Sequence, residues 1–347
     1  MKKLVTYIVC FWGSVFLVKS QDTQFSQYFS ASLFLNPAFA GVYNDPSLHM
    51  NHRRQVQSAD VVNELTQVSF IFPIKPAGRL ERSVGGVGIM AYNERSGIAG
   101  VFQNSAAFLT YAHNFKFGLL SSDILSVGLQ AGYETRSLNF SDLTWGSQYN
   151  PFYGFDDTLP IPVTEFDNQT GALIINAGIM YYYNPTRNYM LYQYSAFSGF
   201  SATNVNGPNK SFNVESKSRE PMLIKYNGGV EIKYNKLYTT PSLLFLYLRG
   251  NFQFNAGLNF AYAPNADRYR AKGNQLLFGA WYRLRDSFIF MGGIKFSSMA
   301  IRASYDLNTN LFVSDRNVAI AQNAFELSIQ YHISKNAGYR RMSNPLF

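Results

Sequence analysis

The sequence predicts an all-β protein: a transmembrane antiparallel β-barrel of about 14 strands, with an N-terminal periplasmic or lumenal segment ahead of it. Three observations carry that expectation. Apolar and polar side chains alternate in segment after segment, as they must when successive strand residues point to opposite faces. In Ala324–Ile333, for example, Phe325, Leu327, Ile329, Tyr331 and Ile333 share one face, while Glu326, Ser328, Gln330 and His332 share the other. A secretory signal opens the chain. Finally, the long and short connections between segments alternate as outer-membrane loops and periplasmic turns do.

Residues 1–20 have the layout of a signal peptide. Lys2 and Lys3 form a basic start, Leu4 to Val18 an apolar run, and Val18 and Ser20 suit the positions before a signal peptidase cut at Gln21. A membrane anchor is the alternative, but Gly13, Ser14 and Lys19 interrupt the run, and a spanning helix wants about 20 apolar residues. Cys10 is the sole cysteine, so the mature chain has none for disulfide or thiol chemistry. Removing the signal leaves a modest positive excess without a basic run, which gives no sign of nucleic-acid binding. Hydrophobic residues make up 47% of the chain, which suits strands that are oily on one face only. No composition shift divides residues 21–347, so they form one domain.

Gln21 to Tyr43 breaks the strand pattern. Asn36-Pro37-Ala38-Phe39-Ala40-Gly41 has turn chemistry. Phe25, Tyr28, Phe29, Phe34 and Phe39 are many aromatics for a loose leader, so the segment is expected to pack at the periplasmic mouth or inside the lumen. Strand segments follow at His49 to Ser58, Glu64 to Pro73, Val84 to Tyr92, Gln103 to His113 and Leu125 to Arg136. They resume at Gly171 to Tyr183, Asn188 to Phe200, Leu223 to Tyr234, Leu237 to Leu248 and Asn251 to Tyr262. The series closes with Gln275 to Leu284, Ser287 to Phe296, Ala300 to Leu307 and Ala324 to Ile333. Most are near the roughly 9–11 residues a tilted strand needs to cross a bilayer. Asn93 to Gly97 is expected to be a turn, and Pro241 to mark a bulge or strand end. With a periplasmic N-terminus, the long connections Ser137 to Thr170, Ser201 to Met222 and Asn308 to Asn323 all fall outside the cell, whereas Ile74 to Ser83 and Ala263 to Asn274 are long for the periplasmic turns they would be. A soluble β-sandwich or lipocalin-like barrel would need a packed interior, but the polar faces here carry Asn, Gln, Lys, Glu and Arg. Arginine at Leu327, on the lipid face, is therefore expected to damage assembly, and arginine at Ser328, on the lumen face, to be milder.

Enzyme signatures are absent: no Gly-x-Ser-x-Gly, no His-Glu-x-x-His and no phosphate-cradling loop. No cofactor is implied. His49 and His52 fall on opposite strand faces and make a poor metal site. The loop Ser137 to Thr170 is the most distinctive surface. It holds Asp142, Asp156, Asp157, Glu165 and Asp167 without Lys or Arg, together with Trp145 and Tyr149. Acids among aromatics fit a partner-binding surface; a loop folded over the barrel mouth on its own aromatics is the alternative. A Ca²⁺ site at Asp156 and Asp157 would lack EF-hand spacing.

Several elements in order resemble the PorP/SprF family of type IX secretion and gliding motility. Gln24-Phe-Ser-Gln-Tyr28 and Asn36-Pro37-Ala38-Phe-Ala-Gly41 resemble the family's opening. Arg54-Gln55 is similar to a further element, with Val56 where an aromatic is expected. Gly128-Leu-Gln-Ala-Gly132 is similar to a family strand. Asn204-Val-Asn206-Gly-Pro208-Asn-Lys-Ser-Phe212 resembles an Asn-Gln-Pro element with Gly207 in place of Gln. Tyr305-Asp306-Leu307 and Phe325-Glu326-Leu327-Ser328 resemble the closing strands, and Ser343-Asn-Pro-Leu-Phe347 an altered form of the family's ending. The resemblance implies an outer-membrane protein, not an enzyme, that helps a specific secreted surface protein or adhesin reach or stay on the cell surface, alongside type IX secretion components. A channel for small, perhaps hydrophobic, solutes is the other class that fits the barrel.

Overall fold

A computed structural model describes residues 24–56, 61–76, 83–98, 100–117, 123–139, 146–150, 152–156, 158–159, 168–183, 192–212, 218–264, 274–296, 298–309 and 323–333. The signal-peptide region therefore lies outside the described residues. The strands are β1 (Ser47–Val56), β2 (Val62–Ile74), β3 (Gly85–Ser96), β4 (Phe102–Phe117), β5 (Asp123–Leu138), β6 (Tyr149–Asn150), β7 (Gly154–Phe155) and β8 (Gln169–Tyr183). They continue with β9 (Tyr192–Thr203), β10 (Leu223–Tyr234), β11 (Leu237–Leu248), β12 (Asn251–Tyr262), β13 (Gln275–Arg283), β14 (Ser287–Phe296), β15 (Met299–Asn308) and β16 (Ala324–His332). All but the small hairpin β6–β7 join in one closed antiparallel barrel of fourteen strands, each paired with its sequence neighbours. β16 seals it against β1, from Ser47 opposite His332 to Gln55 opposite Ala324. Closure matters because an open sheet edge has no partner for its amides in lipid.

The alternation becomes an inside and an outside. On β16, Phe325, Leu327 and Tyr331 are exposed on the outer wall, whereas Glu326, Ser328 and Gln330 are wholly buried in the lumen. The same division runs along β4, where Leu109, Tyr111 and Phe115 face out and Asn104, Thr110 and Asn114 face in. Among the described residues no helix is long and apolar enough to span a membrane; the strands do the crossing.

Two local expectations are corrected. Asn93 to Ser96 is not a turn: β3 runs on to Ser96, opposite Phe102, and the chain reverses at Gly97 with a positive φ. Pro241 marks neither a bulge nor an end. It sits inside β11 opposite Leu258, and the β10–β11 register is the same on both sides of it, with pairing interrupted within the ladder at Val230 and Glu231. A proline without an N–H removes ladder bonds without having to shift register. At the β11–β12 reversal, Arg249 and Gly250 both have positive φ, as a two-residue hairpin of the right twist demands.

One end of the barrel carries the connections 139–168, 204–222 and 309–323 and is the loop end. The opposite end, where β1 begins and β16 finishes, is the turn end. Residues 24–46 lie inside. Their two single-turn helices, Ser32–Leu35 and Phe39–Val42, are almost entirely buried. Of the two places expected for this segment, it takes the lumen.

Candidate functional site

The lumenal segment starts near the loop end and descends to the turn end. Near its start, Ser26 and Gln27 meet a buried charged cluster on the closing strands. Glu326 accepts the backbone N–H of Ser26 at 2.6 Å and that of Gln27 at 3.1 Å. Asp306 accepts the Ser26 hydroxyl at 2.6 Å. Arg53 of β1 pairs with Asp306 at 2.8 Å and lies 3.9 Å from Glu326, and it also donates to the Ser26 hydroxyl oxygen. Arg283 of β13 donates to the same oxygen at 2.9 Å and bridges Asp306 and Asp286. Gln27 donates to Ser304 at 3.0 Å and accepts from Ser328 at 2.7 Å. Charges this deeply buried are tolerable only when paired and hydrogen-bonded, and these are both.

Lower down, aromatic contacts take over. Tyr28 packs edge-on against Trp281 of β13, Phe29 stacks on the same ring, and Arg302 lies over Phe29. Phe34 meets Tyr92 of β3, and the Lys225 ammonium donates to the Phe34 carbonyl at 2.8 Å.

Asn36 to Gly41 then lies flat on β3, β4, β5, β8 and β9. The Asn36 side chain accepts the Ala38 N–H at 2.9 Å and donates to the carbonyls of Ile179 and Phe200, bridging β8 and β9. Ser126 donates to the Ala38 carbonyl at 2.8 Å, and Asn114 to the Gly41 carbonyl at 2.6 Å. The approach is close because the wall is stripped of side chains: a β-carbon on Gly128 would overlap the Ala38 backbone nitrogen, and one on Gly178 the Asn36 side chain. Pro37 sits at this contact. Gly41 has no room for a side chain either, against Asn114 and Ser126. The segment thus touches wall strands all around the lumen.

Above it, toward the loop end, is a cavity of about 1290 Å³, lined among others by Gln24, Phe25, Tyr92, Glu134, Lys210 and Phe252. Its charged wall is a chain of ion pairs. Lys210 reaches Glu134 at 2.9 Å, Arg136 reaches Glu134 at 3.0 Å, and Arg136 reaches Glu220 at 2.6 Å. The motif around Asn206 builds this wall. Asn206 accepts the Ile175 N–H at 3.0 Å and donates to the Leu173 carbonyl at 2.7 Å, so its side chain imitates a strand residue beside β8. The Pro208 carbonyl accepts the Glu220 N–H at 2.9 Å, which folds the connection back on itself.

Of the loop residues expected to bind a partner, Tyr149 and Asp156 are described. Tyr149 pairs with Phe155 in the hairpin β6–β7, and its ring is exposed. Phe152 and Tyr153 at the tip are each 90% exposed. Asp156 caps its own turn by accepting from the N–H and hydroxyl of Thr158, which hold its carboxyl below the usual carboxylate range. Asp142, Trp145, Asp157, Glu165 and Asp167 lie outside the described residues. The motif residues Gln24, Tyr28, Asn36, Pro37, Ala38, Gly41, Asp306 and Glu326 all gather in the lumen, whereas Tyr305 faces outward. Sequence reasoning missed Ser26, Arg53, Arg283, Glu134 and Lys210. A signal existed for the arginines, since opposite charges at inward positions of different strands must find one another in a barrel.

These features define a membrane β-barrel whose lumen is crossed by its own amino-terminal segment. Its outer wall, strand number and polar interior are those of outer-membrane barrels. The chain belongs to the family of type IX secretion system membrane proteins PorP/SprF, whose model matches residues 17–331. No curated protein matches the sequence at a significant level. Among solved structures, the CymD monoaromatic hydrocarbon channel is similar, with a TM-score of 0.49 and 9% identity over 88% of this chain and 93% of that one. A FadL homologue from Pseudomonas aeruginosa has a TM-score of 0.43 and 10% identity, over 87% and 94%. The toluene transporter TodX from Pseudomonas putida has a TM-score of 0.44 and 10% identity, over 87% and 92%. Likenesses this distant carry nothing about what the present barrel binds.

Proposed function

We propose that this protein is an outer-membrane accessory of type IX secretion that docks or displays particular secreted surface proteins at its loop end, and that it works by binding and not by catalysis. One observation supports docking over solute passage: the segment 24–46 is hydrogen-bonded to wall strands all around the lumen, through Ser26 and Gln27 at one end and Asn36 to Gly41 at the other. A route for solutes would have to displace it. What remains for a partner is the loop end, with its cavity and the exposed rings of Tyr149, Phe152 and Tyr153. The proposed mature chain begins at Gln21 after removal of residues 1–20, and the intact mass of the native protein checks this.

Surface proteomics of wild-type and null cells, beside conductance in planar bilayers, tests the function. Docking requires a silent barrel and the loss or degradation of one or a few surface proteins while general secretion continues. An unchanged surface proteome with a steady open pore would leave the channel in its place, and the partly apolar cavity above the segment is where a small solute would first lodge.

A further inference from the structure

The barrel wall is uneven at the loop end. β4, β5 and β8 run 16, 16 and 15 residues, whereas β13 to β16 run 9 or 10. β8 outruns its neighbour. Its last residue paired with β9 is Ala177, opposite Ala202, and Gln169–Asn176 continue beyond it. β9 cannot follow, because the chain turns away at Asn204, whose φ is +61°.

On the side of β8 that faces β5 the ladder is complete to Ser137 opposite Gln169. On the other side the odd-numbered residues present their N–H and C=O groups. Ile175 is satisfied by Val205 and Asn206, and the Leu173 carbonyl by Asn206. Above that, among the described residues, nothing pairs with the Leu173 N–H or with the backbone groups of Gly171 and Gln169.

The border between the covered and the bare parts has a physical reason. On the outer face, β5 changes from Val127, Leu129 and Tyr133 to Thr135 and Ser137, and β8 from Ile179, Ile175 and Leu173 to Gly171 and Gln169. Tyr133 is exposed at the change, where aromatic rings mark the membrane surface. Asn206 thus caps the edge at lipid level, where an orphan amide is costly, and among the described residues nothing caps it where water can reach it. A bare strand edge in water is a template for another strand.

We propose that the β8 edge at Gln169–Leu173 is a docking site for an extended segment of the secreted partner, which adds to the barrel wall as one more antiparallel or parallel strand. This rests on the docking function above. Backbone hydrogen bonds supply affinity in such additions, and alternate side chains supply choice. The chemistry of the segment follows from its surroundings: Leu173 and Tyr133 offer it an apolar floor, which favours apolar side chains at its alternate, outward positions.

Single cysteines test this, because the mature chain read from the sequence has none. Gln169→Cys, Gly171→Cys and Leu173→Cys would be labelled with a benzophenone maleimide on cells that make the protein natively, irradiated, and their cross-linked peptides sequenced. Strand addition predicts that the three positions reach one peptide of one secreted protein, at points two residues apart in a single register. Gly171→Pro should cut the Leu173 cross-link at least tenfold. Its N–H points to the bare side, but a side chain at position 171 also pushes the Tyr133 ring aside; Gln169→Pro therefore repeats the test at the rim, and heat-modifiable mobility should show an assembled barrel in both. Links to a second copy of this chain, to this chain's own connections, or to no protein would each overturn the proposal, as would an undiminished link in both proline variants. If the null strain still loses surface proteins while the cross-links fail, docking stands and only the strand edge falls. If the null strain loses none, the docking function itself falls.

Discussion

The two ends of the lumenal segment are held by opposite means. Near the loop end, Ser26 and Gln27 are gripped by ionisable side chains, with Arg53, Arg283, Asp306 and Glu326 all buried. Toward the turn end, Asn36 to Gly41 is held with no charge at all, by small residues that let backbone lie on backbone and by single hydroxyls and amides on its carbonyls. The charged seat is strong only while its set of partners is whole. The flat seat depends on shape, and fails when anything is added to it. The flat seat and the aromatic contacts of Tyr28, Phe29 and Phe34 would therefore remain when the charged one is loosened, so that the first residues, Gln24 to Gln27, are the ones released.

The largest effect should come from the charged seat. Asp306→Leu leaves two buried guanidiniums short of a carboxylate, at a cost of about 3–5 kcal/mol. Limited proteolysis should then cut near Ser26 while the barrel remains heat-modifiable; resistance equal to wild type would mean that the charges do not hold the segment.

Next is the wall behind that seat. Leu327→Arg on the lipid face should cost about 2–4 kcal/mol if it lies near the midplane, read as lost assembly yield. Ser328→Arg was expected to be milder as a lumen substitution. The structure reverses the reason for that expectation: Ser328 is wholly buried against Gln27, so arginine there should dislodge the segment while sparing the barrel. Equal assembly yields for both variants would count against the assigned faces.

At the flat seat, Gly128→Val forces a side chain into the Ala38 backbone, at about 1–3 kcal/mol. Channel current should appear without loss of assembled protein, since the wall ladder on either side is untouched; a silent, assembled variant would show the segment can yield at no cost. The smallest effect should be Asn206→Ala, on the order of 1 kcal/mol for two half-exposed backbone groups left bare at Leu173 and Ile175. Faster amide exchange confined to the upper half of β8 would report it.

Fourteen strands, their faces and their order were legible in the sequence because each is written in a local alternation of side chains, and a membrane leaves a closed barrel as the way to satisfy all their amides. The lumen position of residues 24–46 was half legible: the aromatics said that the segment packs, but not on what. Arg53 and Asp306 are 253 positions apart, and each reads locally as one more inward polar residue. Asn206 was legible only as part of a family-like element, yet it finishes the edge of a strand 31 residues earlier. Such pairings come from the register accumulated around the whole ring, and a slip of one residue in any ladder would turn these side chains to the other face. The alternation by itself determined the wall; only barrel closure decided what the wall holds.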